Sequence, residues 1–459
     1  MADCDRLSSV LIKSIFGFLI SVCLAVVFVV SDSLAQESES RFDWPSFLGP
    51  DRNSRSMETG ILRDWSNGKL KVLWERPIGR GYVLGSIADG RFFQFDAKET
   101  TCRLICRNAA TGEEIWDFGY EFEYTDMYQF EAGPRATPVV DGDRVYIYGV
   151  EGMLHCIDIK TGKSVWKIDV NEKYGVVQNF FGVGSTPMVV DDALIVMVGG
   201  SPDEFRDQTN NRLDIVKPNG TAVVAFDKRS GKQLYAFGND LASYSSINTY
   251  RVAQKLNAVA WLRDAVVGFE VKNGKQLWSY PYRARKYESV NASTPVVQGT
   301  KIFLCESYGP GSLLLDVANE KPNRVWNDTN PRKQALATHW NTPVFHEGFL
   351  YACHGEGRAN CEIRCIEFDT GTVKWKQRGY GRSSLTYIDG HFVVLDERGE
   401  LFLIKAKPES FELVSKYSNQ KGEGLNLNYP CWAAPVIANG RLYVRGRDRL
   451  VCLQLISNN

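Results

Sequence analysis

The fold of this chain is decided by one eleven-residue stretch, Cys156-Ile157-Asp158-Ile159-Lys160-Thr161-Gly162-Lys163-Ser164-Val165-Trp166. Its first residues are typical of a β-strand. Thr161-Gly162 indicates a tight turn, because glycine adopts the backbone angles that a chain reversal requires. Val165 and Trp166 then indicate a second strand with a large apolar ring to bury. The stretch therefore predicts a β-hairpin, which we call the hairpin motif.

The hairpin motif recurs along the chain. One match of this length is a weak signal, since glycine turns and tryptophans are common. Several matches in one chain instead indicate a structural repeat, in which each copy is one supersecondary unit. The other four copies span residues 106–116, 226–235, 269–278 and 365–375.

A second motif, a strand followed by a turn and another strand, precedes the hairpin motif. One copy begins at Ala136-Thr137-Pro138-Val139-Val140, and its proline recurs at Pro187, Pro295, Pro343 and Pro435. Successive prolines are 49, 108, 48 and 92 residues apart, so each of the two long gaps holds a further unit. With these two units and one that precedes Pro138, the chain has eight unit starts, near Ser86, Thr137, Thr186, Ser245, Thr294, Thr342, Ser383 and Ala434.

The eight units predict a closed ring. The eighth unit has no fourth strand after Leu455, and an unassigned strand around Trp74 precedes the first unit. If that strand completes the eighth unit, the ring closes and no sheet edge is left exposed by an open array. An open β-solenoid, the alternative, would need capping units and would not account for the split unit. Residues 70–456 provide about 48 residues per unit. We therefore predict an all-β fold with a single domain over these residues, an eight-bladed β-propeller of four-stranded antiparallel blades.

Residues 1–35 have the pattern of a secretory signal peptide. Arg6 and Lys13 precede an apolar run at positions 14–30, and Ser33-Leu34-Ala35 then supplies the small residues that signal cleavage favours. We expect cleavage before Gln36 and export to the periplasm or the extracellular space. An uncleaved N-terminal membrane anchor is the alternative, because a 17-residue apolar run nearly spans a bilayer.

Residues 36–69 predict an irregular lead-in to the propeller. The sequence Trp44-Pro45-Ser46-Phe47-Leu48-Gly49-Pro50-Asp51-Arg52 holds two prolines and a glycine, which preclude regular structure. We expect the aromatic rings of this lead-in to pack on the body of the propeller.

Charge and cysteine content exclude several classes of protein. Of the 459 residues, 54 are basic and 54 are acidic, which argues against electrostatic binding to nucleic acid or anionic lipid. Nine cysteines follow residue 35, so at least one has no partner within the mature chain. Cys353 and Cys361 could face each other across a hairpin, whereas Cys106, Cys156 and Cys365 occupy a repeat position that suits a small buried residue. The pairing is open, and we expect a monomer without a zinc or haem site.

The hairpin motifs at residues 156–166 and 365–375 resemble the repeat of pyrroloquinoline-quinone (PQQ) propellers. The resemblance covers about 85% of the chain, from Leu70 to Leu455. The lead-in is similar to the opening of a group of exported bacterial PQQ-repeat proteins, most of which have no assigned activity. The wider superfamily includes the quinoprotein alcohol dehydrogenases and the propeller lipoprotein of outer-membrane assembly, BamB. The resemblance implies a fold and leaves the function open, because the repeated residues are structural.

Neither of these two branches matches the chain fully. The dehydrogenases hold PQQ with a calcium ion, an arginine, stacking groups and usually a disulfide between adjacent cysteines. This chain has no adjacent cysteines and no recognisable calcium loop, and Asp191-Asp192 fits a blade turn. The assembly branch requires a lipidated cysteine, which is not evident. We therefore expect an exported, non-catalytic propeller that binds an unidentified protein or a small molecule such as a carbohydrate. A PQQ- and calcium-dependent dehydrogenase of alcohols or sugars is the alternative, and an assembly-type scaffold is the second.

The candidate binding residues are those that immediately precede the first strand of each blade, since these should lie at one mouth of the central channel. A polar and aromatic set of this kind could bind an anionic or sugar-like ligand. The structural alternative is that the small polar residues tie blades together and the arginines pair with nearby acids. His339 could act as a base, which makes hydrolysis a third option, but no nucleophile is evident beside it. The candidates are Arg135, Ser185, Tyr244, Asn291, His339, Trp340, Asn341, Arg382 and Trp432, with no catalytic or metal-ligating residue predicted.

Overall fold

A computed structural model describes residues 42–126, 128, 131–177, 180–206, 215–284, 286, 291–330, 332–419 and 424–457. Over these residues the chain forms eight four-stranded antiparallel sheets, and the predicted eight-bladed β-propeller is confirmed. The predicted signal peptide and its cleavage site lie outside the described residues. No helix in the described part of the chain has the length and apolar composition needed to cross a bilayer.

The strands follow the predicted units in order, and the innermost strand of each blade comes first. The first strand of the chain, β1 (Val72–Pro77), belongs to blade 8. Blade 1 consists of β2 (Ser86–Ala88), β3 (Arg91–Lys98), β4 (Thr101–Asn108) and β5 (Glu114–Glu121), and blade 2 consists of β6 (Val139–Asp141), β7 (Arg144–Tyr148), β8 (Met153–Asp158) and β9 (Ser164–Asp169). Blade 3 consists of β10 (Met188–Val190), β11 (Ala193–Met197), β12 (Val223–Asp227) and β13 (Gln233–Phe237), and blade 4 consists of β14 (Asn248–Val252), β15 (Lys255–Trp261), β16 (Ala265–Glu270) and β17 (Gln276–Pro281). Blade 5 consists of β18 (Val296–Gln298), β19 (Lys301–Glu306), β20 (Gly311–Asp316) and β21 (Asn323–Asn327), and blade 6 consists of β22 (Val344–His346), β23 (Phe349–His354), β24 (Glu362–Glu367) and β25 (Val373–Arg378). Blade 7 consists of β26 (Ser383–Ile388), β27 (His391–Asp396), β28 (Leu401–Lys405) and β29 (Leu413–Tyr417). Blade 8 consists of β30 (Val436–Ala438), β31 (Arg441–Arg445), β32 (Arg449–Gln454) and β1. Short α-helices lie between strands at Val170–Tyr174 and Asp203–Arg206, and a 3-10 helix lies between β23 and β24 at Arg358–Asn360. A further 3-10 helix, Ser66–Gly68, precedes β1.

The ring closes through the N-terminal strand, as predicted. β1 pairs antiparallel with β32, and Trp74 lies opposite Cys452 in that pair. The Trp74 ring is buried between blades 8 and 1, where it contacts Phe92 and Tyr443. Its Nε1 donates a hydrogen bond of 3.0 Å to the Ala109 carbonyl of blade 1. This strand therefore joins the two ends of the chain in one blade.

The hairpin motif holds adjacent blades together. Asp158 Oδ1 accepts hydrogen bonds from the Thr161 backbone N (2.9 Å) and hydroxyl (2.8 Å), and Gly162 completes the turn with φ of 69°. The Trp116 ring of the preceding blade lies on Gly162, where a Cβ would stand 2.7 Å from the ring. Trp116 Nε1 donates to the Ile159 carbonyl of the same turn (3.0 Å). Gly162 thus serves both the turn and the contact between blades.

The cysteines at the repeat position behave as the sequence predicts. Cys106, Cys156 and Cys365 are buried, and each lies opposite the tryptophan of its own hairpin. The nine described cysteines are all free thiols. Cys353 and Cys361 form no disulfide, and their thiols donate to the backbone carbonyls of Gly381 (3.3 Å) and Gly355 (3.7 Å).

The lead-in lies across one end of the central channel. Trp44 pairs with Ile87 of blade 1 through two backbone hydrogen bonds of 2.8 and 2.9 Å. Further along, Ser54 and Ser56 pair in the same way with Tyr387 of blade 7, with two bonds of 2.9 Å. Blades 1 and 7 are two positions apart in the ring, with blade 8 between them. We call residues 44–56 the plug.

The side chains of the plug extend its contacts to other blades. The Arg52 guanidinium donates to the carbonyls of Pro187 (3.0 Å) and Ile247 (3.1 Å), which precede the first strands of blades 3 and 4. Arg55 donates to the Phe345 carbonyl of blade 6 (2.6 Å) and stacks on Tyr387. Burial of its guanidinium lowers the pKa of Arg52 to about 10, which still leaves it charged at neutral pH. The plug is thus bonded to most of the ring.

Candidate functional site

The channel holds a cavity that opens at the end opposite the plug. The cavity has a volume of about 430 Å³, and its walls come from the segments that cross from one blade to the next. Its floor comes from Phe47, Leu48 and Ser54 of the plug. We call it the central pocket.

Most of the predicted binding residues meet in this pocket. The structure places seven of the nine on its walls, namely Arg135, Tyr244, His339, Trp340, Asn341, Arg382 and Trp432. They come together because each precedes the first strand of a blade, and all first strands begin at the same end of the channel.

Ser185 and Asn291 are not among the residues that line the pocket. Asn291 Nδ2 donates to the carbonyls of Leu262 (2.7 Å) and Arg263 (2.9 Å), so this side chain ties neighbouring backbone together. Ser185 is buried, whereas its neighbour Thr186 lines the pocket, because successive side chains of an extended chain point to opposite sides. The structural alternative holds for Asn291.

Arg135 is fixed within the wall of the pocket by several acceptors. Its Nε donates to the Phe181 carbonyl (2.5 Å), and Nη2 lies 3.1 Å from the Glu131 carbonyl and 3.3 Å from Asp126 Oδ2. The guanidinium also lies 4.9 Å from the centre of the Tyr82 ring. The side chain is 8% exposed, so its charge is paired and largely enclosed.

Arg382 is paired in the same way on the other side of the pocket. Its Nε and Nη2 donate to Glu397 Oε2 at 2.8 and 2.5 Å, and Nη2 also donates to the Tyr429 hydroxyl (3.2 Å). Burial alone would lower the pKa of Arg382, but the Glu397 carboxylate outweighs it and raises that pKa above its ordinary value. The guanidinium lies 4.8 Å from the Trp340 ring centre and 5.5 Å from that of Trp432.

The two arginines do not give the pocket a free positive charge. Each arginine has an acidic partner. The described residues that line the pocket include no aspartate or glutamate, so the lining has no unpaired negative charge either. An anionic ligand would have to compete with Asp126 and Glu397 for the arginines. The pocket therefore favours a neutral ligand over an anionic one, which narrows the two ligand types that the sequence left open.

A band of aromatic rings runs around the pocket. Trp340 and Trp432 lie 5.0 Å apart, Trp432 and Tyr82 lie 4.9 Å apart, and His339 is 4.8 Å from Trp340. Tyr308 continues the band from His339. Within the described structure, the buried Nε1 of Trp432 has no hydrogen-bond acceptor. Such a band offers ring faces for stacking and at least one donor for a ligand.

Besides Phe47 of the plug, three aromatic residues of the pocket were not predicted from the sequence. Tyr82 lies in the crossing before blade 1, where no candidate was chosen, and Phe181 lies a few residues before Ser185. Tyr308 follows β19 in the turn to β20. In an up-and-down blade, the turn between the second and third strands reaches the same end as the crossings. That rule would have pointed to Tyr308. The floor residues Phe47, Leu48 and Ser54 have no such signal, because the lead-in lies outside the repeat.

His339 is not arranged as a strong base. Its Nε2 is 2.8 Å from the Tyr308 hydroxyl, and burial, with a contribution from Arg382, lowers the pKa of His339 to about 4. The ring is therefore neutral near pH 7 and weakly basic. Among the described residues, its one hydrogen-bond partner is Tyr308, so no serine or cysteine forms a nucleophile–base pair with it. This geometry does not favour hydrolysis.

Comparisons with known proteins agree on the fold. A PQQ-repeat family model, described as outer membrane protein assembly factor BamB, matches residues 101–339, just over half of the chain. The chain belongs to this family. No curated protein sequence matches it significantly.

Solved structures with a similar fold include BamB and quinoprotein dehydrogenases. BamB from Moraxella catarrhalis has a TM-score of 0.55 and 12% identity, over 85% of this chain and 99% of that one. A europium-containing methanol dehydrogenase has a TM-score of 0.66 and 10% identity, over 92% and 100% of the two chains. A quinohemoprotein alcohol dehydrogenase from Pseudomonas putida has a TM-score of 0.62 and 14% identity, over 93% and 82%. At these identities the similarity shows the fold alone.

The family resemblance raises the question of whether the pocket fits calcium-bound PQQ. Trp340 and Trp432 offer faces on which a flat ring could stack. Calcium takes about six to eight oxygen ligands, usually including carboxylates. The described lining has no carboxylate, and its one carboxamide, Asn341, donates its Nδ2 to the Cys353 carbonyl (3.1 Å). No group of three or more metal-ligating side chains occurs in the described part of the chain. The donors present thus fit a ring and do not fit the ion.

Proposed function

We propose that this family member is an exported, non-catalytic binding propeller whose central pocket takes a small neutral molecule that contains a ring. The observation that carries the proposal is the combination of an aromatic band with two arginines that are each neutralised by an acid. Ring faces bind flat or pyranose-type ligands by stacking, and the hydroxyl and indole N–H groups of the wall can orient them. Carbohydrates and neutral heterocycles both meet this description.

The same residues support the non-catalytic part of this proposal. His339 is a weak base without a nucleophile beside it, and the arginine–acid pairs are arranged to hold each other. Catalysis requires groups that interact more strongly with a transition state than with the bound ligand. The pocket instead supports binding of a ground-state ring.

The probe for the binding test is N-phenyl-1-naphthylamine, a neutral dye with a naphthyl and a phenyl group that fluoresces in apolar sites. The wild-type chain should bind it in a saturable manner, and Trp432→Ala should weaken that binding about tenfold or more, because a buried aromatic contact is lost. Trp326→Ala is the matched control. Trp326 lies on the outermost strand of blade 5 and donates to the Phe368 carbonyl, so its loss should lower thermal stability and leave dye binding unchanged. Equal weakening by both variants would contradict the assignment of the site.

The quinoprotein alternative has its own assay. We expect no dye-linked dehydrogenase activity on a panel of alcohols and aldoses when PQQ and calcium are supplied, because the described lining lacks oxygen donors for the ion. Turnover that requires both additives and is abolished by Arg135→Ala would establish the enzyme instead.

A protein-binding role is the second candidate, and the exposed aromatic rings at the mouth favour it. Tyr429 is 52% exposed and packs edge-on against Trp432, so a partner could cover it. A photo-crosslinking residue at position 429 should then capture a partner in the producing cell that the same residue at Leu413, on the outer surface of blade 7, does not capture. Identical adducts at both positions would rule out a docking site at the mouth.

Export is proposed from the N-terminal pattern, which precedes the described residues. N-terminal sequencing of protein from the producing cell should begin at Gln36. An intact leader in the membrane fraction would support the anchor.

A further inference from the structure

The plug makes the central pocket a dead end. Its backbone pairs with Ile87 of blade 1 and Tyr387 of blade 7. Arg52 reaches the other side of the channel, where it donates to Pro187 and Ile247 beside the first strands of blades 3 and 4. All of these partners belong to or adjoin the innermost strands, so the segment lies across the channel itself. A ligand that enters from the mouth meets the plug before it can leave by the other end.

The plug is held firmly enough to act as a fixed floor. Trp44 is buried against the inner strands of blades 8 and 1, and Gly49 adopts φ of 83° directly beneath its ring. A Cβ at Gly49 would lie 3.2 Å from three atoms of the Trp44 ring. Pro45 also accepts a hydrogen bond from Val140 N (2.8 Å). The turn that carries Phe47 and Leu48 is therefore fixed at both ends.

Phe47 contributes most of the open surface of this floor. Leu48 and Ser54 line the pocket but are themselves buried, whereas Phe47 is half-buried and keeps part of its ring accessible. A partly exposed phenyl ring at the closed end of an aromatic pocket is a contact surface for the far end of a ligand.

We propose that the plug is the floor of the ligand site and that Phe47 is the residue that sets how deeply a ligand enters. This inference rests on the proposed function of the pocket, and it adds a residue from outside the propeller repeat that selects ligands by length. A ligand reaches Phe47 only through the mouth, and removal of the phenyl ring deepens the pocket at its closed end.

The route to the floor can be tested without any ligand. A Phe47→Cys thiol should react with methyl methanethiosulfonate, a small neutral reagent, and Ala292→Trp on the pocket wall should slow that reaction about tenfold or more by narrowing the path. Met57→Cys is the control, because Met57 follows the plug and is 70% exposed. Its reaction should not respond to Ala292→Trp. Mass spectrometry of the modified peptides separates these sites from the buried natural cysteines. If Ala292→Trp does not change the rate at which the Phe47→Cys thiol is modified, in variants whose melting temperatures confirm folding, the plug does not close the pocket.

The role of Phe47 in ligand length needs two probes. Phe47→Ala should shift the ratio of dissociation constants in favour of the longer N-phenyl-1-naphthylamine over the shorter 2-naphthol by about fivefold or more. Met57→Ala should leave the ratio unchanged. Equal effects of Phe47→Ala on both probes would show that Phe47 does not select by length. If the wild-type chain binds neither probe, the proposed function fails, and the labelling experiment alone decides whether the plug closes the site.

Discussion

The two ends of the propeller channel are built on different principles. At the plug end, the turns within blades repeat one chemistry, in which Asp158, Thr161 and Gly162 satisfy one another and receive the ring of Trp116. At the mouth end, each crossing between blades has its own residues, and polar groups such as Trp432 Nε1 lack partners in the described structure. The recurring turns at the plug end stabilise the fold, and the crossings at the mouth end, which differ from blade to blade, form the pocket. The hairpin motif therefore reports the fold, whereas the function must be read from the crossings.

The largest effect that would sharpen this contrast is expected at the closure of the ring. Trp74→Ala removes a buried ring and its hydrogen bond to Ala109, and should lower the free energy of unfolding by about 3–5 kcal/mol. The neighbouring Leu73 is 43% exposed, so Leu73→Ala should change it by less than about 0.5 kcal/mol. Denaturant unfolding of both variants provides the comparison. An unchanged melting temperature after deletion of residues 36–80 would refute the closure.

A smaller effect should separate two glycines of the repeated turns. Gly162→Ala should cost about 2–4 kcal/mol, because it adds a clash with the Trp116 ring to the strain of a positive φ. Gly299 has a similar φ of 62° but open space around it, so Gly299→Ala should cost about 1–2 kcal/mol. The difference between their melting temperatures measures the contact between blades. Equal losses would mean that the ring contact contributes nothing beyond backbone strain.

The smallest effect concerns a buried acid near the mouth. Burial raises the pKa of Glu306 to about 8, although backbone N–H groups of Ser307, Tyr308 and Asn291 oppose the shift and Glu356 adds to it. Because the folded state holds this proton more tightly than the unfolded state, Glu306 should favour folding at low pH. That contribution should decline as the pH rises from its unfolded-state pKa, about 4.5, to about 8.

Glu306→Gln removes this titration. The variant should gain melting temperature relative to wild type at about pH 9 and gain much less at about pH 5. A matched change at exposed Glu347, Glu347→Gln, should show no such dependence. A difference between Glu306→Gln and wild type that is the same at both pH values would show that Glu306 does not titrate on folding.

The sequence predicted the fold because the fold is periodic. The motif prolines locate five blades, their double-length gaps indicate two more, and the strand start near Ser86 gives the eighth. The unassigned strand around Trp74 predicts how the ring closes. The same geometry predicts which residues precede the first strands, and seven of those nine candidates line the pocket.

The rest of the site depends on contacts that carry no period. Asp126 lies in the crossing to blade 2 and Glu397 in the turn between β27 and β28, and neither position belongs to the two recurring motifs. Because these two acids neutralise the arginines, the sequence left an anionic ligand as open as a neutral one. The lead-in was expected to pack on the body of the propeller. Its position across the channel depends on hydrogen bonds between residues far apart in sequence, such as Arg52 and Ile247. No local pattern encodes such pairs.

The central claim is that the pocket prefers a neutral ring, and a matched pair of dyes tests it most directly. The compound 8-anilino-1-naphthalenesulfonate is N-phenyl-1-naphthylamine with one added sulfonate, so the pair isolates the effect of negative charge. Fluorescence titration, with Trp432→Ala to identify binding at the pocket, should show the neutral dye bound about tenfold more tightly or better, because the sulfonate must lose its hydration beside paired arginines. Tighter binding of the sulfonate, weakened by salt and by Arg382→Ala, would show that the arginines are available to anions and would contradict the account.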